Sequence, residues 1–184
     1  EDLLWEHNDL IGNNALGIVQ TLKASVNRLA GLVNIADAIV VYFGEVYGKG
    51  IGPAKNYTGS GQTGYRLFDV VVQRNFAEIL SMPRDQISGW REHGGQKFVD
   101  VEQLKVFAAE AGFETVPVLF EGDAADLPKS HSEVNEWLLS LPNSQCVLDS
   151  KATGYPEGMV LRTASRDIIA KLRREDYQRI LKGK

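Results

Sequence analysis

The chain has 184 residues, of which 43% are hydrophobic and 24% are charged, a composition typical of a folded domain and not of a disordered chain. Its net charge of −4 argues against binding nucleic acid by bulk charge, and its single cysteine, Cys146, excludes an internal disulfide framework. No apolar run is long enough to cross a bilayer and no signal peptide opens the chain, so we expect one cytoplasmic domain over residues 1–184.

The first half of the chain combines a helical pattern with two β-rich runs. Apolar residues at steps of three and four predict a helix over residues 13–33. The β-rich runs at residues 38–43 and 65–72 flank a long glycine-rich stretch, which predicts a hairpin with an elaborate connection. Residues 83–95 are polar and are expected to be irregular.

The second half of the chain holds two helix signals among short β-rich runs. One helix is predicted from its N-cap Asp100 to Gly112. Another is predicted to start at Ser130 or Ser132 and to end at Pro142. The β-rich runs predict strands at residues 114–120, 145–148, 158–162 and 167–172. Because helices and strands do not alternate regularly, the sequence predicts an α+β fold and not a doubly wound parallel sheet.

Positive charge is concentrated at the end of this acidic chain. Residues 162–184 contain eight basic and three acidic side chains. Such a segment can be a solvated basic tail, or it can face phosphate groups. Any contact with nucleic acid is therefore expected to be local.

Two carboxylates and two cations have the local setting of a ligand site. Glu45 and Glu157 each lie at the edge of a β-rich run beside a glycine, where a ligand can approach the backbone closely. Lys171 and Arg173 are two residues apart in a predicted strand, so they share one face. Hard oxygen ligands together with cations suit a magnesium-bound triphosphate.

The order of these segments resembles the covalent nucleotidyltransferase superfamily, which comprises ATP-dependent DNA and RNA ligases and mRNA capping enzymes. The similarity runs from about residue 40 to the C-terminus, and it is closest to RNA ligases that seal nicks in double-stranded RNA. Four segments resemble motifs III, IIIa, IV and V in that order: Tyr-Phe-Gly-Glu-Val-Tyr-Gly at 42–48, Tyr-Arg-Leu-Phe-Asp-Val at 65–70, Glu-Gly-Met-Val-Leu-Arg at 157–162 and Lys-Leu-Arg at 171–173.

The resemblance implies a role for each candidate residue. Glu45 would contact the ribose of ATP, Tyr65 would stack on the adenine, and Glu157 would bind the catalytic Mg²⁺. Lys171 would contact the α-phosphate, and Arg173 stands where the family often has a second lysine. The implied fold is a nucleotidyltransferase domain, ATP-grasp-like, with antiparallel β-sheets flanked by helices.

The resemblance also implies a reaction in RNA repair. A lysine would attack the α-phosphate of ATP to give lysyl-AMP, and the AMP would pass to an RNA 5′-phosphate. A 3′-hydroxyl of RNA would then seal the nick. RNA carrying 5′-phosphate and 3′-hydroxyl ends is the implied partner.

The chain departs from the family pattern at the nucleophile. Motif I, a Lys-x-Asp-Gly or a close variant, should precede motif III, but Lys23 is the only lysine before Glu45 and Ala-Ser-Val follows it. The Lys-Ala-Thr-Gly at residues 151–154 comes in the wrong order and lacks the acidic third residue. Either the chain is a fragment without its N-terminal part, which the missing initiator Met favours, or the domain never had the nucleophile.

Two alternative functions stay open at this point. One is a DNA ligase or an mRNA capping nucleotidyltransferase, against which the Phe-Gly-Glu-Val-Tyr-Gly stretch argues weakly. The other is a non-catalytic domain that binds RNA or a nucleotide in the same cleft.

Overall fold

The structure, a computed structural model, describes residues 22–25, 27–28 and 36–183. These residues form two antiparallel hairpins with helices around them. In chain order the elements are β1 (Ala38–Gly48), β2 (Thr63–Arg74), α1 (Phe76–Leu80), α2 (Arg84–Glu92), α3 (Val101–Ala111), α4 (His131–Leu139), β3 (Gly158–Arg162), β4 (Ile169–Arg173) and α5 (Arg174–Leu181). The predicted α+β fold is confirmed. Most of the helix predicted over residues 13–33 lies outside the described residues.

The β1–β2 hairpin contains a β-bulge in its middle. Phe43 pairs with Asp69 and Gly44 pairs with Leu67, so Phe68 is an extra residue on β2. A bulge of this kind shifts the alternation of side chains between the two faces of a strand. Leu67 and Val70, three residues apart, therefore both reach the hydrophobic core.

The core lies between this hairpin and α3. Leu67 and Val70 pack with Leu104 and Ala108 of the helix, and all four are buried. The helix begins and ends as the sequence predicts: the side chain of its N-cap Asp100 accepts a hydrogen bond from the Gln103 amide at 2.8 Å, and the residue after it is a left-handed glycine with φ 72°.

The β3–β4 hairpin is small and leads directly into α5. Gly158 pairs with Arg173 and Val160 with Lys171. Helix α5 packs against α4, whose first turn has the predicted Ser130 cap in a full capping box. Arg174, the first residue of α5, is buried, and its side chain donates to the Leu138 carbonyl of α4 at 2.8 Å, which joins the two helices.

Several predicted elements were wrong. Residues 84–92 form helix α2, although an irregular segment was expected there. Pro83 immediately precedes the helix, and its ring fixes its φ near the helical value. The helix buries no residue, so it has no apolar face that its sequence could have shown. The predicted strand at 114–120 is reduced to one bridge, between Leu67 and Thr115. The predicted strand at 145–148 belongs to no sheet, since the Leu148 amide donates to the Tyr57 carbonyl in the β1–β2 loop and not to a strand. Helix α5 forms within the basic C-terminal segment, where no helix was predicted.

None of the helices within the described ranges is both long and apolar enough to span a membrane.

Candidate functional site

The Tyr57 hydroxyl bonds to Glu157, and the charge of Glu45 acts on the same hydroxyl. This hydroxyl donates to Oε1 of Glu157 at 2.7 Å, across 100 residues of sequence. Burial, the hydrogen bond to Glu157 and the negative charges of Glu157 and Glu45 all raise the pKa of Tyr57. Of the two predicted carboxylates, Glu157 therefore bonds to Tyr57 directly, whereas Glu45 acts on it through its charge.

Tyr57 is held in place by the segment that precedes Glu157. The Leu148 amide donates to the Tyr57 carbonyl at 2.7 Å, and the Gly154 amide donates to the carbonyl of Asn56 at 3.1 Å. The Tyr57 ring also packs edge-on against Tyr47 of β1, with 5.1 Å between centroids. These hydrogen bonds thus join the β1–β2 loop and residues 148–154 into one unit beside Glu157.

Asp149 is the main anchor of this unit. Its carboxylate accepts from the hydroxyls of Thr58 at 2.6 Å and Ser60 at 2.7 Å, and from the backbone amides of Gly59 and Ser60. These hydrogen bonds stabilise the ionised form and hold the pKa of Asp149 well below its usual range. We call the contact between Asp149 and residues 58–60 the loop anchor.

Glu45 lies on the face of the β1–β2 hairpin that points away from α3. Its partner across the ladder is Arg66. The Arg66 guanidinium is committed elsewhere, to the Glu114 carboxylate at 2.8 Å and the Thr115 carbonyl at 2.7 Å. Glu45 is exposed and has no ion-pair partner within the described part of the chain, so its charge is free to meet a ligand.

Tyr65 is not brought together with the two carboxylates. It pairs with Val46, one position along from the Glu45 pair, so it lies on the opposite, α3-facing side of the hairpin. Its ring packs against Phe113 with centroids 4.9 Å apart, and a Cβ at Gly44 would overlap its hydroxyl. Its stacking on adenine stays a prediction. Phe68 of the same motif lies beside Phe43, with ring centroids 6.5 Å apart.

Lys171 and Arg173 lie on one face of β4, but their surroundings differ. Arg173 is paired with Glu175 at 3.1 Å and with Asp176 at 2.8 Å, which offsets its charge. Lys171 is exposed, stands opposite Val160, and has no ion-pair partner among the residues described. Lys171 is therefore the better placed of the two to meet an added phosphate.

An ion cluster that the sequence analysis missed joins the two hairpins. Asp69 of β2 is 1% exposed and binds Arg162 of β3 at 2.6 Å and Arg166 at 2.7 Å. Arg162 also donates to the Phe68 carbonyl at 2.9 Å, and the Arg166 guanidinium lies 3.8 Å from the ring centroid of Phe98. Asp69 and Arg162 lie in the segments that resemble motifs IIIa and IV, but neither residue was singled out there.

Tyr57 and Asp149 were missed as well. Tyr57 is the only aromatic residue between Tyr47 and Tyr65, which is a usable signal in a glycine-rich stretch. Asp149 has no local signal, because its partners lie about 90 positions earlier in the chain.

The residues present fit one magnesium ion and a triphosphate. The Tyr57 bond engages Oε1 of Glu157 and leaves Oε2 as a ligand atom, while Glu45 supplies a second carboxylate nearby. Across the described residues no three His, Cys, Asp or Glu side chains cluster as a metal cage. Mg²⁺ does not require one, because it keeps several waters and takes the remaining oxygens from phosphate.

A separate groove of about 640 Å³ lies between the end of β2 and α3. Val99 and Phe107 are among its lining residues, and none of the five predicted site residues lines it. The groove is therefore not part of the candidate site.

Comparison with known proteins identifies the family of the chain. A family model described as RNA ligase matches residues 10–183. A search of curated proteins finds no match. Because the family model covers nearly the whole chain, the chain belongs to the RNA ligase family.

Proposed function

We propose that this chain is the adenylylation domain of an ATP-dependent RNA ligase, which joins RNA 3′-hydroxyl and 5′-phosphate ends. The observation that carries the proposal is the hydrogen bond from Tyr57 to Glu157, at a hydroxyl on which the charge of Glu45 also acts. Lys171, which has no ion-pair partner among the described residues, lies on the hairpin that follows Glu157. Two carboxylates and a cation offer separate contacts for the metal, the ribose and the phosphate. Family membership supports the same chemistry.

The residues take distinct roles in nucleotide binding. Glu45 accepts hydrogen bonds from the ribose, and Glu157 holds Mg²⁺ through its free oxygen. Lys171 binds the α-phosphate and stabilises negative charge as pyrophosphate leaves. When bound, Mg²⁺ offsets the charge of the triphosphate and polarises it for attack.

Three transfers would complete the reaction. A lysine nitrogen loses a proton and bonds to the α-phosphorus of ATP, and the bond to the bridging oxygen breaks, so that pyrophosphate departs with the electron pair. An RNA 5′-phosphate oxygen then displaces the lysine and takes the AMP. Finally the RNA 3′-hydroxyl attacks that 5′-phosphate and AMP leaves.

The nucleophilic lysine is not recognisable in this chain. Lys23 is the only lysine before Glu45, and it lies exposed on a helical turn without the motif I residues after it. We therefore expect no lysyl-AMP on the chain as it stands. Incubation with α-labelled ATP and Mg²⁺ followed by a denaturing gel tests this, and a labelled band at the mass of the chain would contradict it.

Equilibrium binding tests the nucleotide site itself. We expect the chain to bind a non-hydrolysable ATP analogue in a Mg²⁺-dependent manner, and to bind it more tightly than the GTP analogue. Glu157→Gln should remove the metal dependence, while Glu110→Gln, an exposed change on α3, should leave it intact. Equal binding without Mg²⁺, or a preference for GTP, would contradict an ATP-dependent ligase, and the latter would favour a capping enzyme.

The absence of a recognisable nucleophile favours a second candidate, a domain that binds RNA or a nucleotide without catalysis. The upstream coding sequence separates the two candidates. A Lys-x-Asp-Gly, or its variant with His in place of Asp, encoded before Glu1 supports the ligase. In the lysine-bearing protein Glu157→Ala should then abolish adenylylation, and near-normal labelling would refute the role of Glu157.

A further inference from the structure

We propose that Tyr57 is a positioning residue, which orients the Glu157 carboxylate for the metal by holding one of its two oxygens. This inference rests on the proposed function, since it assigns a task within the same site. It adds a residue from the glycine-rich β1–β2 loop, outside all four motif segments.

The geometry of the hydrogen bond supports this role. The Tyr57 hydroxyl and Oε1 of Glu157 are 2.7 Å apart, which is the length of a strong O–H···O bond. Oε2 is left to face a ligand. Carboxylates that bind metals are commonly held in this way by a second residue, and loss of that residue weakens metal binding about 10- to 100-fold.

Glu157 needs such support because its own surroundings are loose. Glu157 immediately precedes β3, and the Arg174 amide donates to its carbonyl at 2.9 Å, which fixes its backbone. The side chain is exposed and is not fixed by this bond. Within the described residues, Tyr57 is the one side chain that bonds to its carboxylate. Without this bond the carboxylate would have to be ordered at the moment of binding, which costs affinity.

Tyr57, by contrast, is fixed from several sides. Its carbonyl is bound by Leu148, its ring packs on Tyr47, and the loop anchor at Asp149 holds the residues that follow it. A donor that is already ordered adds little entropy cost to the contact. A phenol also donates without a positive charge, so it does not repel the metal as a lysine or an arginine would.

The test uses Mn²⁺ as the probe, with electron paramagnetic resonance counting free Mn²⁺ in the presence of the non-hydrolysable ATP analogue. Tyr57→Phe keeps the ring against Tyr47 and removes only the hydroxyl, and we expect Mn²⁺ to bind about 10- to 100-fold more weakly. Tyr155→Phe is the matched control. This variant makes the same chemical change two residues before Glu157, at a tyrosine that is 46% exposed. It should leave Mn²⁺ binding unchanged.

The double variant shows whether Tyr57 acts through Glu157. Glu157→Gln should itself weaken Mn²⁺ binding, and adding Tyr57→Phe should then cause no further loss. An equal further loss in the double variant would overturn the positioning role. So would unchanged Mn²⁺ binding by Tyr57→Phe while Glu157→Gln weakens it. If the unaltered chain binds no Mn²⁺ with the analogue, the proposed function fails, and the inference fails with it.

A second measurement requires no substitution. In the unaltered chain with labelled tyrosine rings, bound Mn²⁺ should broaden the Tyr57 resonances more than those of the exposed Tyr155. Broadening of Tyr155 alone would place the metal away from Tyr57 and overturn the inference.

Discussion

In the β1–β2 hairpin, Leu67 and Val70 are fully buried, whereas in the β3–β4 hairpin Val160 and Ile169 remain about half exposed at 52% and 49%. The first hairpin has a helix over one face and belongs to the core. The second has no comparable apolar cover within the described ranges. Polar contacts connect it to the rest of the molecule instead, through Arg162 to Asp69 and through Glu157 to Tyr57.

This difference matters because the candidate site takes one carboxylate from each hairpin. Apolar packing tolerates small shifts, since it has no directional requirement. Hydrogen bonds and ion pairs depend steeply on distance and angle. We therefore expect core substitutions to lower stability and leave the site in place, and substitutions at the polar contacts to separate Glu45 from Glu157.

The largest effect on stability is expected from Asp69→Ala. It leaves the partly buried guanidinium groups of Arg162 and Arg166 without their carboxylate, and Arg162 already has two buried nitrogens without a partner. Breaking a buried ion pair by removing one partner costs about 3–5 kcal/mol, which urea unfolding would measure. Glu114→Ala, at an exposed ion pair with Arg66, is the control and should cost little. A loss below about 1 kcal/mol for Asp69→Ala would mean that other contacts hold the hairpins together.

Leu67→Ala is expected to lower stability by about 2–5 kcal/mol, because it opens a cavity in the core beneath α3. Its effect on the site should be small, in contrast to Asp69→Ala. Nucleotide-dependent Mn²⁺ binding, measured well below the midpoint of unfolding, should match that of the unaltered chain. An equal loss of Mn²⁺ affinity in both variants would show that the polar contacts position the site no more strictly than the apolar core does.

Asp149→Asn should weaken the loop anchor and alter the dependence of stability on pH. Folding lowers the pKa of Asp149, so the unfolded chain binds a proton first as the pH falls. The contribution of Asp149 is therefore complete above about pH 5 and declines below it.

Thermal unfolding between about pH 5 and pH 2 measures this, and the variant should lose less stability over that range than the unaltered chain. Part of the dependence should remain, since hydrogen bonds also lower the pKa of Asp167 and Glu133. Glu110→Gln removes an exposed carboxylate and should leave the profile unchanged. Identical profiles for the unaltered chain and Asp149→Asn would exclude Asp149 as a stabilising anchor.

The smallest effect is expected at the exposed pair of Glu102 and Lys105 on α3, whose charged atoms are 2.7 Å apart. Solvent and salt screen such a pair, so Lys105→Gln should not change the midpoint of thermal unfolding measurably. A clear drop that disappears at high salt would show that surface charge contributes more to α3 than its packing suggests.

The sequence predicted the elements whose signals are local. Helix α3 has its Asp100 cap and a glycine after its last residue, and it lies where it was expected. The β-branched run marks the start of β1 correctly, but the strand continues to Gly48 and so includes Glu45, which was expected to follow it. Helix α2 has few apolar residues and buries none, so periodicity could not reveal it. Helix α5 was hidden because its charged residues suggest a solvated tail.

The candidate site could be predicted only in part, for a different reason. The motif order pointed to Glu45, Glu157 and Lys171, but their surroundings depend on contacts between distant segments. Tyr57 reaches Glu157 across 100 residues, which no local pattern can show. The side of the hairpin on which Tyr65 lies also could not be predicted with certainty, since the bulge at Phe68 interrupts the alternation of β2.

That bulge also gives the hairpin a place to absorb changes in length. β2 has 12 residues and β1 has 11, and the one-residue difference is taken up at Phe68. A deletion of Phe68 would equalise the two strands and leave Leu67 and Asp69 on their present faces. A deletion of Gly44 would add a second mismatch and carry Glu45 toward the opposite side. The effect of a deletion in this hairpin therefore depends on its position. A related chain can lose the residue at Phe68 and still keep its charged and apolar side chains on their present faces.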